Sequence, residues 1–318
     1  MKKYLLTPLL LSITLLITVK SQSYSITWEK SDNFPVRLSE IKAITCNDKI
    51  YVIGGKITKD NTDLTDNEDV DYTYEYNTKN KKWSKKSNMP TKRYDVALAI
   101  VNNLIYAIST ENEVYDPKTD TWQILKPLEG GMAHLETVVF NNKIYVFGSN
   151  EGEYNKTMMY DPQANKWIEK ASIPTPRLAP SVAIIENKIY VLGGIGFNEN
   201  GQLGKLLQTI EVYDPQTDQW ETKKPMPKSL WGAEGVIVKD NNLFLINIRS
   251  TEQHPEYNIY VYYPQSENWV AIDSTIPKRY SEQGVTLLDN KIYVIGGHDD
   301  TFTQYGDLYI GTIEKLDQ

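Results

Sequence analysis

Apolar and polar positions along the chain fall into short runs, not the 3.6-residue periodicity of amphipathic helices. The phrase "KIYVIGG" at 49–55 returns unchanged at 291–297, and variants stand at 104–110 ("LIYAIST"), 143–149 ("KIYVFGS"), 188–194 ("KIYVLGG") and 243–248 ("LFLINI"). Each reads as a short buried strand, rich in β-branched and aromatic residues. A pair of turn-forming residues precedes each one: Asn47-Asp48, Asn102-Asn103, Asn141-Asn142, Glu186-Asn187, Asn241-Asn242 and Asp289-Asn290. Before the pair comes another apolar run, such as "VALAIV" (96–101). Such pairs tolerate the positive φ angles of tight connections, so the pattern predicts six β-hairpins, each made of a strand a and a strand b.

A second hairpin follows five of them. Tyr76, Tyr115, Tyr160, Tyr213 and Tyr262 each precede a tryptophan by seven residues, at Trp83, Trp122, Trp167, Trp220 and Trp269. A fixed interval is what a cross-strand aromatic pair requires. The turn between them carries proline in four copies, which pre-sets φ. Each unit therefore reads as four antiparallel strands, a–b then c–d. From one tryptophan to the next, counting from Trp28, the units span 39 to 55 residues, the period of radially repeated blades.

The diglycine after strand b, the Tyr-Asp-Pro turn and the Trp at constant spacing together resemble the Kelch-repeat family. That resemblance implies an all-β, six-bladed β-propeller. The diglycine is intact at Gly54-Gly55, Gly193-Gly194 and Gly296-Gly297, half kept at Gly148-Ser149, and missing at Ser109-Thr110 and Asn247-Ile248. The last unit, ending in "DLYIGTIEKLD" (307–317), has no Trp hairpin, while "SITWEKSDNFP" (25–35) offers a Trp strand with nothing before it. The two halves make one blade, so the N-terminal strand is expected to close the ring in the last blade.

Composition adds limits on what the chain does. Lys2 and Lys3 precede 16 largely apolar residues, too few for the ~20 of a spanning helix. Residues 1–21 thus read as a signal peptide, and 22–318 as one propeller domain exported to the periplasm or beyond, with no membrane span after cleavage. Removing three lysines and no acids leaves 31 basic against 41 acidic residues, a net charge of −10, which opposes nucleic-acid binding. The lone Cys46 closes no intramolecular disulfide and reads as a small buried side chain. A monomer is the expected state.

In an antiparallel blade the b–c loops and the links from strand d to the next strand a share one end. The distance from the b-strand aromatic to the c-strand Tyr varies there from 9 to 25 residues, and variable loops on a rigid scaffold are where binding resides. The longest loop, 56–73, holds Asp60, Asp63, Asp66, Glu68, Asp69 and Asp71 but lacks the order of a calcium loop, so it reads as solvated acid. The loop 195–209 is glycine-rich and reads as a mobile flap, with Phe197 tucked against its blade or lining a pocket. Four links carry arginine after proline, at Arg37, Arg93, Arg177 and Arg279; the other two hold His134 and Trp231. With Glu40 and Glu282 these are the candidate ligand-binding residues. Converging guanidinium groups suit a carboxylate, while at each single position a salt bridge between blades is the plainer role. Trp231 suits stacking on a sugar or partner side chain, or simple filling of the link. His134, His254 and His298 show no metal-ligand spacing, and neither cofactor nor metal is expected.

Two function classes follow. One is a non-catalytic module holding a protein, peptide or anionic glycan at the loop-rich end. The other, implied only by the resemblance, is an exported carbohydrate enzyme of the sialic acid mutarotase kind, with Glu40, Glu282 or His134 as the acid/base group beside Arg93 and Arg177. The copper-oxidase branch of similar propellers needs a Cys–Tyr crosslink that Cys46, on strand a, does not offer.

Overall fold

The computed structural model describes residues 23–316 except 59–66, 131, 151–152, 199, 228–234, 247–258, 273, 275, 279–280 and 300. The region read as a signal peptide lies outside them. Six four-stranded antiparallel sheets carry the fold. Blade 1 runs Lys42–Cys46, Lys49–Ile53, Thr73–Asn77 and Lys82–Lys85. Blade 2 runs Ala97–Val101, Leu104–Ile108, Asn112–Asp116 and Thr121–Ile124. Blade 3 uses Ala133–Phe140, Lys143–Asn150, Glu153–Asp161 and Lys166–Glu169. Blade 4 uses Ser181–Ile185, Lys188–Leu192, Ile210–Asp214 and Gln219–Lys223. Blade 5 comprises Gly235–Lys239, Asn242–Ile246, Ile259–Tyr263 and Asn268–Ile272. Blade 6 comprises Gly284–Leu288, Lys291–Ile295, Leu308–Leu316 and, as its outer strand, Ser23–Lys30.

The a strands touch one another in order and across the join between blades 6 and 1, so the sheets form a closed ring around a central axis. In blades 2 to 6 both central residues of the a–b turn have positive φ, the backbone that an Asn-rich pair accepts. In blade 5 this pair is Asp240-Asn241, one residue earlier than the sequence pattern suggests, because Asn242 already begins strand b opposite Lys239.

Each Tyr lies directly across from its Trp in the c–d pairing, with ring centroids 4.8, 5.1, 4.9, 5.0 and 4.8 Å apart. All five tyrosines are at most 1% exposed. The hydrophobic core is divided into six clusters, each spanning the seam between two neighbouring blades. Blade 6 solves the same problem differently. Trp28 pairs with Gly311, and a Cβ on Gly311 would come within 2.8 Å of the indole ring. Glycine there leaves the indole the space that a side chain would take.

The diglycine has a comparable cause. Gly55 has φ +109°, and a Cβ on it would meet the Ser39 carbonyl at 2.8 Å; in blade 4 the Leu178 carbonyl would stand 2.5 Å from a Cβ on Gly194. In these two blades the entering link runs too close for any side chain. Both long b–c loops form small ribbons, Lys56–Thr58 with Asn67–Asp69 and Ile195–Phe197 with Leu203–Leu206. The flap is therefore partly ordered strand, and Phe197 stacks on Tyr154 of blade 3 at 3.7 Å.

Candidate functional site

The link arginines divide by their distance from the preceding proline. Arg93 and Arg177 stand three residues after Pro90 and Pro174, Arg37 two after Pro35. The longer spacing goes with buried side chains at Arg93 and Arg177, the shorter with an exposed one at Arg37. Arg177 is fully buried; it pairs with Glu211 and donates to the carbonyls of Gly193 (2.8 Å) and Thr175 (3.1 Å) and to Thr209 Oγ1 (2.9 Å). Arg93 repeats the arrangement two seams earlier, with Glu113 at 2.8 Å and the Ala107 and Glu111 carbonyls at 3.0 Å. Burial pulls both guanidinium pKa values down, and the paired glutamates oppose the shift. Thr91 and Thr175, two residues before each arginine, hold the second carboxylate oxygen at 2.7 and 2.8 Å.

These arginines thus staple blade 1 to blade 2 and blade 3 to blade 4, and neither guanidinium converges on the axis. The expectation of an arginine-lined mouth is corrected at both positions: their forks are filled by the protein's own acceptors. Arg37 is exposed at the same end of the ring; the Tyr305 hydroxyl nearby donates to Asp299 at 2.7 Å, which holds its pKa up, and Arg37 opposes that rise only weakly. Arg279, Trp231 and His254 lie outside the described residues.

One position recurs in the described links that enter blades 1, 2, 3, 4 and 6. Lys42, Ala97, Glu136, Ser181 and Gly284 are equivalent by their pairing to strand b. Two residues upstream of each stand Glu40, Asp95, His134, Ala179 and Glu282, and all five have positive φ, between 47° and 60°. The link needs a left-handed residue there. Glycine would meet that need with least strain; any other residue adds roughly 1 kcal/mol. Three of the five positions carry a carboxylate and one an imidazole.

Glu282, Glu40, Asp95 and His134 belong to four consecutive blades, 6, 1, 2 and 3, and they interact. Asp95 Oδ2 accepts the His134 amide at 2.6 Å, with His134 Nδ1 at 3.7 Å. Glu40 is paired with Lys56 Nζ at 3.0 Å, and that ammonium lies 3.4 Å over the Tyr94 ring. Burial raises the Glu40 pKa, the negative charge of Glu282 adds to the rise, and Lys56 opposes it. Glu282 Oε2 stands 3.1 Å from Nε2 of His298, whose Nδ1 faces the Asp299 carbonyl at 2.8 Å. Deeper in, Lys42 of blade 1 reaches Glu136 of blade 3 at 2.7 Å, spanning blade 2.

The site is thus an acidic arc with embedded cations. No group of three metal-binding side chains exists among the described residues. The sequence pointed to Glu40, Glu282 and His134, which the structure brings into one arc. It missed Asp95, Tyr94 and Lys56 as members. Their signal was available, since Asp95 holds the same place before strand a as Glu40, but aligning the links on proline hid that equivalence.

Comparison with known proteins agrees with this architecture. The KLHDC2/KLHL20/DRC7 Kelch-repeats domain matches residues 108–297, and the Kelch motif matches residues 37–90. Rat Kelch-like protein 36 is 25% identical over 237 residues, covering 71% of this chain and 38% of that protein. Human Kelch repeat and BTB domain-containing protein 12 is 26% identical over 212 residues, 59% of this chain and 34% of that protein. This chain thus spans under two fifths of the length of these curated relatives. A solved structure described as "Structure of YjhT" superposes with a TM-score of 0.70 at 16% identity, over 90% of this chain and 99% of that one, a likeness of fold alone. Six aromatic-seamed blades, left-handed links and a repeat match over more than half of the sequence place this chain in the Kelch-repeat β-propeller family.

Proposed function

We propose that the protein is an exported, non-catalytic binding propeller that holds a protein or peptide at the end bearing its b–c loops and links, with a basic side chain of the partner seated against Glu40, Asp95 and Glu282. The observation that carries this reading is the arc itself: a position whose backbone favours glycine is filled in neighbouring blades by carboxylates. An anionic glycan fits less well, because Arg93 and Arg177 are consumed within the seams. Export rests on the basic and apolar N-terminal segment. The enzyme reading keeps one supporting feature, the Glu282–His298 pair beside Glu40 with its raised pKa, an acid/base combination that ring opening of a sugar hemiacetal would use.

Fluorescence anisotropy with labelled peptides of equal length, rich in Lys/Arg, neutral, or rich in Asp/Glu, tests the binding reading. Basic peptides should bind, weaken as salt rises, and lose about tenfold or more in affinity to the Glu40→Gln/Asp95→Asn/Glu282→Gln protein. Preference for acidic peptides, or unchanged binding by the triple variant, would refute it. Faster mutarotation of α-sialic acid or galactose, followed by NMR and abolished by Glu282→Gln, would establish the enzyme instead.

A further inference from the structure

Three seams of the ring are latched by one residue in the c–d turn of the following blade. Blade 1 has Lys81 at that place, and its Trp83 indole N–H is buried without a hydrogen-bond partner among the described residues; blade 5 lacks the latch as well. Asp120 accepts the Tyr115 hydroxyl at 2.7 Å and, from blade 1's link, the Ser87 amide at 2.9 Å. Asn165 does the same with Tyr160 (2.6 Å) and the Lys126 amide (3.0 Å). Asp218 takes Tyr213 and the Ala171 amide (2.9 Å). Each seam is completed by the Trp indole N–H, which donates to the carbonyl of that same link residue at 2.9 to 3.0 Å.

Blade 5 has Glu267 at this place. Its longer side chain reaches only the Lys224 amide at 3.4 Å and Lys223 Nζ at 3.6 Å. The Tyr262 hydroxyl and the Trp269 indole N–H are consequently buried without hydrogen-bond partners among the described residues.

A cleft of about 310 Å³ lies beside this seam, lined by blade 4 residues alone, two of which, Tyr190 and Lys223, reach blade 5 at Tyr262 and Glu267. Its lining includes Lys188, Tyr190, Asp214, Gln219, Glu221 and Lys223. Tyr190 packs its ring against Tyr262 with centroids 6.2 Å apart, is 8% exposed, and has no hydrogen-bond partner among the described residues. The equivalent Tyr51 of blade 1 donates to Glu75 at 2.8 Å, because Glu75 stands across from it where Val212 stands across from Tyr190. The Tyr190 phenol therefore offers the cleft a donor that the fold itself does not use.

The lining also defines what would fit. Two ammonium groups and two carboxylates are present and already paired, Lys188 with Asp214 and Lys223 with Glu221, so the wall has no net charge. A charged ligand gains from one half and is opposed by the other. A neutral molecule with many hydroxyls can donate to the carboxylates and accept from the ammonium groups, the Gln219 amide and the phenol. The volume sits at the small end of the ~300–1,000 Å³ of ligand pockets. We infer that the blade 4–blade 5 seam is a binding site for a neutral polyhydroxylated small molecule, a sugar ring or a cyclitol, on a surface separate from the channel mouth and independent of the function proposed there.

Saturation-transfer NMR on the whole chain tests this with methyl α-D-glucopyranoside, N-acetyl-D-glucosamine and myo-inositol as neutral probes, and glucuronate and glucosamine as charged comparators. At least one neutral probe should receive saturation and outcompete both charged ones; which one responds separates sugar from cyclitol. Tyr190→Phe, which keeps the ring and removes the hydroxyl, should weaken binding about fivefold. Gln219→Ala, on an exposed residue with no role in packing, should weaken it similarly. Tyr145→Phe, the corresponding phenol of blade 3, should leave it unchanged. Absence of transfer to every neutral probe, preference for a charged comparator, or binding indifferent to both Tyr190→Phe and Gln219→Ala would overturn the assignment.

Discussion

At the scale of single residues, a shift of one position after proline separates a structural arginine from a free one. Arg177 and Glu211 have side chains 0% and 2% exposed, so removing one partner leaves a buried charge uncompensated. Arg177→Met should therefore cost about 3–5 kcal/mol, seen as a large fall in thermal midpoint, while Arg177→Met/Glu211→Met should recover much of it. Arg37→Ala, on an exposed side chain, should stay within about 0.5 kcal/mol of the parent. Equal effects at Arg37 and Arg177 would contradict this division. The distinction was present in the sequence as "MPTKR" and "IPTPR" against "FPVRL", with the threonine that steadies each glutamate in place in the first two and absent from the third. It was not legible as burial, because the partners Glu113 and Glu211 sit 20 and 34 residues away, and only the seam brings them together.

At the scale of elements, the a–b hairpins and the Tyr–Trp pairs were readable because each depends on neighbours close in the chain: a turn, a strand alternation, a fixed interval. The outer strand of blade 6 was readable only as a remainder, and the reason it fits was not. Trp28 needs an empty place across from it, which Gly311 supplies, and Ser274 accepts its indole N–H at 3.0 Å. Gly311→Ala should then destabilise by about 1–3 kcal/mol through overpacking. A chain beginning at Ser31 should lose far more, since Tyr24 and Ile26 leave the core shared by blades 5 and 6. Adding the octapeptide Ser23–Lys30 in trans should raise the thermal midpoint of the shortened chain in a dose-dependent way. A shortened chain as stable as the whole would mean that the ring is held elsewhere.

At the scale of the whole molecule, the ring is a set of seams filled by tyrosines, and this predicts how it comes apart. Burial is the main cause that raises the phenol pKa of Tyr24, Tyr160 and Tyr293 to about 12. Tyr115 and Tyr213 are pushed further in the same direction by burial and then by the aspartates that accept their hydroxyls. An unfolded phenol ionises near pH 10. With the folded pKa above the unfolded one, the stability linked to each proton is fully present below about pH 10 and drains away as pH rises toward 12. These residues lie in different seams, and a ring opened at one seam exposes edges at both sides of the break. Ionisation should accordingly be steep and coincide with loss of tertiary structure, not proceed residue by residue. Absorbance at 295 nm and near-ultraviolet circular dichroism, recorded together from pH 8 to 12.5, measure this: the ionisation of the buried phenols and the loss of dichroism should share one midpoint. Tyr24→Phe removes one titrating group from the join and should move that midpoint to higher pH if its lost hydrogen bonds to Asp240 and Asn242, at 3.3 and 3.2 Å, contribute less than its ionisation does. Buried phenols that all ionise near pH 10 with the dichroism intact would show that the seams are open to solvent, and the packing that closes the ring would have to be sought outside its tyrosines.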